Sequence, residues 1–354
     1  MTWIQRQWRR PILIRLLHWE YWPFHFVYGP IYIVWVFLCL RARSFFFFNA
    51  ANPTIQNGGF LAESKRDICD IIPQRLQPKS VFFEQGVSLE QARYELIGAG
   101  LSFPLIGKPN TGARGRGVRI IEHERDLDFY IANNLVDFHI QEYIGYPLEV
   151  GIFYYRYPGQ PAGRISGIVK KELLRVKGDG SSTIKDLLLQ DSRGILQLSL
   201  LEKEYGLLLN EVLERNKDKL LVPYGNHARG AKFLDCSDLI DPEITSRIDE
   251  ICQQIPQFYF GRLDVRFSDF EKFKKGVDFC IIEVNGAGSE PTHIYDPRHS
   301  IFFAWKEIVR HWIILWRISR MNHREGIPYL SVKGGLEMFR QDRQNSKKLA
   351  KMRV

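Results

Sequence analysis

A glycine- and arginine-rich loop lies between two apolar runs in the first half of the chain. Residues 104–121 read PLIGKPNTGARGRGVRII, with three glycines and two arginines between the runs. This pattern predicts a strand that is followed by a mobile, basic turn, as in an ordinary basic β-hairpin with a glycine turn. Lys108 ends the first run, so its charge would lie at the base of the hairpin. The segment is not a Walker loop, because it lacks Gly-Lys-Ser/Thr and no helix follows.

Two later segments predict strands with polar residues at alternate positions. They are YFGRLDVRF (259–267) and DFCIIEVNG (278–286). Glu283 and Asn285 are two residues apart, so both side chains point to one face of their strand. Together with Asp264 they form an oxygen-only set, which suits Mg²⁺ or Mn²⁺ held partly by substrate phosphates. A solvent-facing acid is the alternative at these positions.

Strand-like and helical stretches alternate between residues 100 and 290, which indicates an α/β (α+β) class. DPEITSRIDEICQQI (241–255) predicts a helix with Asp241 as its N-cap and Pro242 at its first position. In VKGDGSSTIKDLL (176–188), Ser182 or Thr183 would cap a helix. The charged segment FSDFEKFKKGVD (267–278), between the two polar strands, predicts a hairpin extension.

The net charge of +9 is concentrated at the two ends of the chain. Residues 1–43 carry +5 and residues 301–354 carry +8, so residues 44–300 carry the difference, −4. Basic ends occur in nucleic-acid-binding proteins, but no RNA-recognition, KH or zinc pattern is present, so nucleic acid is not expected as a partner. The five scattered cysteines include no CxxC pair, which predicts reduced thiols in a cytosolic environment.

The N-terminal segment combines dense aromatics with an uncharged run at residues 24–40. As one straight helix this run would reach about 25 Å, short of the roughly 30 Å hydrocarbon core, and Gly29-Pro30 would kink it. Basic clusters flank it on both sides, and Trp19, Tyr21 and Trp22 stand where interface anchors would be expected. We therefore predict a re-entrant or interfacial segment on the cytoplasmic face of a membrane (peripheral or monotopic).

The C-terminal segment is also basic and aromatic. IFFAWKEIVRHWIILWRISR (301–320) predicts an amphipathic helix, because Lys306, Arg310, Arg317 and Arg320 recur at helical intervals. Such a helix could lie in a lipid headgroup layer, or it could be a core helix with a cationic outer face. The polar, basic residues 334–354 predict a flexible tail.

Five motifs, occurring in order, resemble the ATP-grasp superfamily, and most closely its D-alanine–D-alanine ligase and cyanophycin-synthetase-like branch. They are FPLIGKPNTGARGRGVRII, QEYIGYPLEVGIFYYR, VKGDGSSTIKDLL, GRLDVRF and CIIEVNGAGSEP, and they cover roughly residues 100–295. The resemblance implies an ATP-grasp fold, in which two sheet-containing subdomains clamp ATP.

The predicted organisation follows from this resemblance and from the two ends. It comprises a membrane-associating segment (1–48), a shortened N-terminal substrate subdomain (49–100), an ATP-binding lid (101–180), a catalytic subdomain with the metal site (181–300), an amphipathic basic helix and turn (301–333) and a flexible tail (334–354). In the second of these, Gly58-Gly59 would open a helix N-terminus able to hold an anion.

The resemblance also implies a role for individual residues. Lys108 would contact the ATP phosphates beside Thr111, Gly112, Arg114 and Gly115 of the hairpin. Gln141, Glu142, Tyr143 and Ile144 would form the hinge at the adenine, and Glu149 would bind the ribose. Lys171, with Lys170 as the competing candidate, would add a cation near the phosphates, as would Lys79 with a weaker match. Asp264, Glu283 and Asn285 would be metal ligands, Arg262 would lie near the transferred phosphate, and Arg229 and Asn226 would be further anion contacts.

The function implied is an ATP- and Mg²⁺-dependent (or Mn²⁺-dependent) ligase. It would activate a carboxylate as an acyl phosphate and join it to an amine, acting at the membrane surface on a lipid, lipid-linked or hydrophobic substrate. An ATP-grasp phosphotransferase is the alternative, and a nucleotide-binding module without turnover is a third possibility. The oligomeric state stays open, with a homodimer among the candidates.

Overall fold

The computed structural model describes residues 11–112, 115–222 and 225–352. These residues divide into two compact units. The smaller unit comprises the chain up to Tyr32 together with Val169–Asp235 and Thr292–Glu307. The larger unit comprises Ile33–Ile168, Cys236–Pro291 and the chain from Ile308 onward.

Most helices and strands fall in the larger unit. Its helices are α3 (Tyr32–Ala42), α4 (Lys65–Ile71), α5 (Leu89–Gly98), α6 (Glu124–Asn133), α9 (Pro242–Gln253), α10 (Phe270–Lys274) and α12 (Val332–Leu349), with α11 (Ile301–Arg324) shared between the units. Its strands are β1 (Ser80–Phe83), β2 (Leu105–Pro109), β3 (Arg119–Ile121), β4 (Phe138–Glu142), β5 (Leu148–Tyr155), β10 (Phe260–Phe267) and β11 (Phe279–Asn285), and β6 (Arg164–Glu172) begins there.

Two sheets organise these strands. The first is antiparallel, with strand order β1-β4-β2-β3, and the buried residues Tyr130 and Phe138 are in its core. The second has the order β11-β10-β5-β6-β9, and β10 pairs antiparallel with both β11 and β5. Helix α9 adds its apolar residues to the core of this sheet. Asp241 caps the helix through a 2.8 Å bond from the Ile244 N–H, as predicted from the sequence.

The smaller unit contains α1 (Pro11–Leu17), α2 (Phe24–Tyr28), β7 (Leu174–Lys177), α7 (Ile184–Leu188), α8 (Ser192–Tyr205), β8 (Asp218–Val222) and β9 (Lys232–Asp235). Strands β7 and β8 form a separate two-stranded sheet. Thr183, one of the two predicted candidates, caps α7 in a capping box with Asp186.

The sheets divide the chain differently from the predicted subdomain boundaries. Strand β1, at Ser80–Phe83, pairs with β4, so the first sheet begins inside the segment predicted as a substrate subdomain. Strand β5 lies within the predicted lid, yet it pairs with β10 of the second sheet. The charged insertion predicted as a hairpin extension contains helix α10 instead, capped by Asp269.

The C-terminal region is more ordered than its composition predicts. Most of the predicted flexible tail (334–354) lies within the 18-residue helix α12, Val332–Leu349. The predicted helix at 301–320 is present as α11, and its residues Ile314, Leu315 and Ile318 are buried in a core cluster of the larger unit. The core-helix interpretation therefore describes this part of α11 better than the interfacial one, since the apolar face is covered by protein.

The N-terminal aromatics behave in two ways. In the smaller unit, the Trp19 indole donates to the His299 carbonyl at 2.8 Å and Tyr21 stacks on His227 at 5.5 Å between ring centroids. These two predicted interface anchors therefore contact protein. In the larger unit, Trp35 of α3 packs against Trp312, with ring centroids 5.2 Å apart.

Many other apolar side chains of this segment stay exposed. A 3₁₀ turn at Gly29–Ile31 interrupts the helical segment, as the Gly-Pro pair predicts. By length and composition, Phe24–Ala42 could cross a membrane, and 28% of its most apolar stretch is buried. The exposed large apolar residues are Ile12, Leu16, Leu17, Phe24, Phe26 and Tyr32 in the smaller unit, and Ile33, Val36, Phe37, Leu40 and Phe45 in the larger one.

Candidate active site

One face of the second sheet carries the predicted metal ligands. In the antiparallel pair β10–β11, Asp264 lies opposite Glu283 and Arg262 lies opposite Asn285. Opposite residues of antiparallel strands share a face, and so do residues two apart along one strand. All four side chains therefore project from the same side, and the pairing shifts register immediately after Asp264. Such bulges often adjoin active sites, where they re-aim side chains.

Arg262 and Asp264 form a two-pronged ion pair within this set. The Arg262 Nε and Nη2 atoms donate to the two Asp264 carboxylate oxygens at 2.9 and 3.2 Å. Burial opposes the charge of the guanidinium, but the carboxylates of Asp264 and Glu283 outweigh it and raise the pKa of Arg262. The side chain of Asp264 is buried, so the ion pair fixes the orientation of the Arg262 guanidinium on this face of the sheet.

The remaining oxygen donors suit a hard cation. Among the described residues, the buried Nδ2 atom of Asn285 has no hydrogen-bond partner. Mg²⁺ needs only one or two carboxylates when substrate phosphates supply other oxygens. Glu283 and Asn285 fit that demand directly, whereas Asp264 would have to exchange Arg262 for the metal. Among the described residues, no three His, Cys, Asp or Glu side chains gather as a metal site.

Two lysines bring positive charge near Glu283. Lys108, on β2, is buried, and burial lowers the pKa of its ammonium group against the opposing charge of Glu283. Lys65, at the start of α4, is a second cation whose charge acts on Lys108. The Lys65 ammonium donates to the Gly112 carbonyl at 2.9 Å. Burial raises the pKa of the neighbouring Glu63 carboxyl, and the negative charge of Glu283 raises it further. The positive charge of Lys65 acts in the opposite direction.

The predicted glycine-rich hairpin is present. Strands β2 and β3 pair antiparallel, with Leu105 opposite Ile121, and Thr111, Gly112 and Gly115 lie between them. Gly112, Gly115 and Gly117 all have positive φ angles, of 137°, 69° and 71°. Glycine adopts positive φ angles readily, whereas residues with a Cβ atom rarely do. Arg114, predicted to contact phosphate, lies outside the described residues.

The predicted adenine hinge follows β4. Gln141 is buried on β4, whereas the Glu142 side chain is exposed. Arg266 of β10 donates to the Ile144 carbonyl at 2.8 Å and to the Glu149 carboxylate at 3.0 Å. Its guanidinium also lies 5.7 Å from the centre of the Tyr143 ring. Glu149, predicted to bind ribose, is thus held in a buried ion pair, and Arg266 links it to the hinge.

Four of the predicted candidates belong to the smaller unit. Lys171 on β6 is buried, whereas Lys170 pairs with Glu172 at 3.2 Å and is more exposed, so strand alternation separates the two candidates as expected. Arg229 donates to Glu204 at 2.6 Å. Asn226 accepts from the Ala228 N–H and so caps the short turn that contains Arg229.

The Gly58-Gly59 pair does not open a helix. It ends a 3₁₀ turn at Gln56–Gly59, and α4 begins at Lys65 with Ser64 as its cap. The backbone of the pair instead packs on the loop after Asn285: a Cβ at Gly59 would lie 2.7 Å from the Gly286 Cα. Buried Asn52 joins this turn to β10, since its amide donates to the carbonyls of Gly58 and Phe260 at 3.0 and 2.8 Å.

Sequence reasoning missed Lys65, Arg266 and Asn52. The alternation in RLDVRF was a usable signal for Arg266, because positions 262, 264 and 266 share a face. Lys65 reaches the site because its segment packs next to β2, and Asn52 because its segment packs on β10. The sequence has no periodic pattern that predicts either contact.

Comparison with known proteins was made by sequence and by structure. No protein-family model matches the chain, and a search of curated proteins found no match. Solved structures do match, each with probability 1.00. The bifunctional glutathione synthetase of Pasteurella multocida has a TM-score of 0.36 and 16% identity, covering 68% of this chain and 33% of its own.

Two further structures match at a similar level. The VanG D-Ala:D-Ser ligase of Enterococcus faecalis has a TM-score of 0.37 and 18% identity, covering 68% of this chain and 57% of its own. The D-alanine–D-alanine ligase of Bacillus anthracis has a TM-score of 0.42 and 15% identity, covering 74% and 69%. The chain thus spans about a third to somewhat over half of the length of the first two proteins. A glutathione synthetase and two ligases that act on D-alanine are thus among the solved structures to which this chain is similar.

Proposed function

We propose that the protein is an ATP- and Mg²⁺-dependent ligase that joins a carboxylate to an amine. The observation that carries this proposal is the polar face of β10 and β11, where Asp264, Glu283, Arg262 and Asn285 project together. The carboxylate oxygen would attack the γ-phosphorus of ATP, giving an acyl phosphate and ADP. The amine would then attack the acyl carbon, forming the amide and releasing phosphate and a proton.

The residues of the site would act mainly by positioning and by neutralising charge. Lys108, with Lys65 beside it, would balance the negative charge of the triphosphate, and Arg262 would face the transferred phosphoryl group. Glu283 and Asn285, and Asp264 if Arg262 releases it, would hold Mg²⁺, which when bound supplies further positive charge to the phosphate oxygens. Mn²⁺ suits the same oxygen donors. Lys171 and Arg229, which belong to the smaller unit, stay predictions of the sequence motifs as further anion contacts.

The nucleotide would be held by the segments that the sequence motifs indicate. The backbone of Thr111, Gly112 and Gly115 would approach the phosphates, since glycine permits close contact. The hinge at 141–144 would meet the adenine, and Glu149 would accept from the ribose hydroxyls while Arg266 keeps its carboxylate oriented.

An ADP-release assay tests this function. The purified protein is incubated with ATP and Mg²⁺, with pools of carboxylates and amines added singly and together, with and without membrane extract. A ligase releases ADP in quantity only when both substrates are present. ADP release with a single substrate, together with a stable phosphorylated product, would instead establish the phosphotransferase alternative.

We further propose that the N-terminal segment docks on the cytoplasmic face of a membrane. On α3 the exposed side chains Ile33, Val36, Phe37 and Leu40 recur at intervals of three, one and three residues, which places them on one face of the helix. Arg41 and Arg43 follow this face and are exposed, as expected for contact with anionic headgroups. The substrate would then be a lipid, a lipid-linked molecule or a hydrophobic acid.

Cysteine labelling tests whether this segment returns to the side it entered from. In a variant without native cysteines, single cysteines at Thr2 and at Ala42 should both resist an impermeant thiol reagent in intact cells. The reason is that basic residues bracket the segment on both sides and favour retention in the cytoplasm. Both positions should label after permeabilisation, which serves as the control. Labelling of either position from outside would establish a transmembrane span instead.

A further inference from the structure

The last turn of helix α12 packs directly on the glycine-rich hairpin. Leu349 is buried, with 6% of its surface exposed. A Cβ at Gly112 would lie 2.6 Å from the Leu349 Cδ1 atom, and a Cβ at Gly117 would lie 3.3 Å from the Met352 Cε atom. The helix end therefore touches the hairpin where the hairpin has no side chains of its own.

The first half of α12 explains how its end comes to lie there. Ser331 caps the helix by accepting from the Gly334 N–H at 3.1 Å. Gly335 packs closely against the ring of Phe46, because a Cβ atom there would lie 2.4 Å from the nearest ring carbon. Met338 is buried in the same core cluster as Phe46. A helix of 18 residues is about 27 Å long, so anchoring its first half fixes the path of its last turn.

The base of the hairpin is held by a second element, the start of α4. The Lys65 N–H donates to the Asn110 carbonyl at 2.9 Å, and the Arg66 N–H donates to the Asn110 side chain at 2.9 Å. The Lys65 ammonium reaches the Gly112 carbonyl, as described above. Gly112 is therefore contacted from two elements. Its carbonyl accepts from Lys65 of α4, and its Cα lies against the Leu349 side chain of α12.

Two packed elements would lower the conformational freedom of a loop that is otherwise costly to order. Fixing the backbone of a residue costs conformational entropy, and glycine loses the most freedom. A hairpin that is ordered before ATP arrives would bind it more tightly, because less entropy is lost on binding.

We propose that Leu349 is a positioning residue for the nucleotide: the end of α12 holds the glycine-rich hairpin in the conformation that receives the ATP phosphates. This inference rests on the proposed function, since it assumes that the hairpin meets ATP. In this proposal helix α12 supports the nucleotide site by packing on the hairpin. Leu349 acts through the hairpin and does not touch the reacting atoms.

The test compares two leucines of the same helix. Leu349→Ala removes the contact with Gly112, whereas Leu336→Ala changes a side chain that is 61% exposed. Two quantities are measured: the dissociation constant of MgATP by calorimetry, and the rate of tryptic cleavage after Arg116, within the hairpin. Leu349→Ala should weaken ATP binding about tenfold and speed cleavage by a similar factor. Leu336→Ala should match the wild type, and Leu349→Met should restore most of both values.

Other outcomes separate the inference from the proposed function. Equal cleavage and equal ATP affinity for the two alanine variants would overturn the inference. Faster cleavage of Leu349→Ala with unchanged affinity would show that the contact holds the hairpin without positioning ATP, which also overturns it. A wild-type protein that binds no ATP would contradict the proposed function itself, whatever the cleavage rates. If Leu349→Ala does not fold, as judged by its unfolding transition, Leu349→Val takes its place in the same comparison.

Discussion

The Glu283→Gln variant is expected to lose at least about 100-fold in ATP turnover while remaining folded. Glu283 supplies the carboxylate beside Asn285 and opposite Asp264. Loss of a metal ligand removes several kcal/mol of stabilisation from a transition state in which phosphate charge develops. The glutamine has nearly the same shape, so the strands should keep their register. Turnover is measured as ADP release, and folding as the urea unfolding midpoint.

Glu271→Gln is the matched control for this variant. Glu271 lies on α10 with 69% of its side chain exposed, so the same chemical change should leave turnover within about threefold of the wild type. If Glu283→Gln itself retained turnover within that range, the assignment of the metal site would be wrong.

A similar loss, about 100-fold in kcat/KM for ATP, is expected for Lys108→Ala. Lys108 is a buried cation on β2, and its charge is felt at Glu283. A positive charge at a site shielded from water interacts strongly with phosphate, so its removal should weaken both binding and the chemical step. Initial rates over a range of ATP concentrations measure the effect.

Two other lysines calibrate that result. Lys272→Ala removes a cation whose side chain is 57% exposed and should leave kcat/KM unchanged. Lys79→Ala should have an intermediate effect, since its side chain is exposed and its match to the family is weaker. Wild-type kinetics for Lys108→Ala would mean that another cation, such as Lys65, balances the phosphates alone.

The polar face of the second sheet could be predicted from the sequence because strand alternation is a local rule. Positions 262 and 264, and 283 and 285, share faces by periodicity alone. The pairing of Asp264 with Arg262 follows from the same rule, but the metal-ligand pattern favoured an unpaired Asp264. Which residues lie opposite one another on β10 and β11 depends on the strand register, which shifts at the β-bulge after Asp264. No composition or period announces that bulge.

The structure of the two ends was harder to predict from the sequence, because the same composition suits both a membrane interface and packing against protein. Trp19 and Tyr21 suit a membrane interface as well as they suit contacts with His299 and His227. Residues 332–349 are polar and contain Gly334-Gly335, which disfavours a helix by about 1 kcal/mol per glycine. The close approach of Gly335 to Phe46 reverses that preference, since only glycine leaves room for the ring. Tertiary packing of this kind has no local signature.

Transfer of oxygen from the carboxylate substrate to the released phosphate tests the proposed ligase chemistry most directly. Once the ADP-release assay has identified a productive pair, the carboxylate substrate is labelled with ¹⁸O in both oxygens, and the released phosphate is analysed by mass spectrometry. Acyl phosphate formation places one carboxylate oxygen on phosphorus, and attack of the amine at the acyl carbon leaves it there. Each phosphate released should therefore carry one ¹⁸O atom, and the amide should retain the other. Phosphate without ¹⁸O, released alongside the same amide, would contradict activation of the carboxylate by ATP at this site.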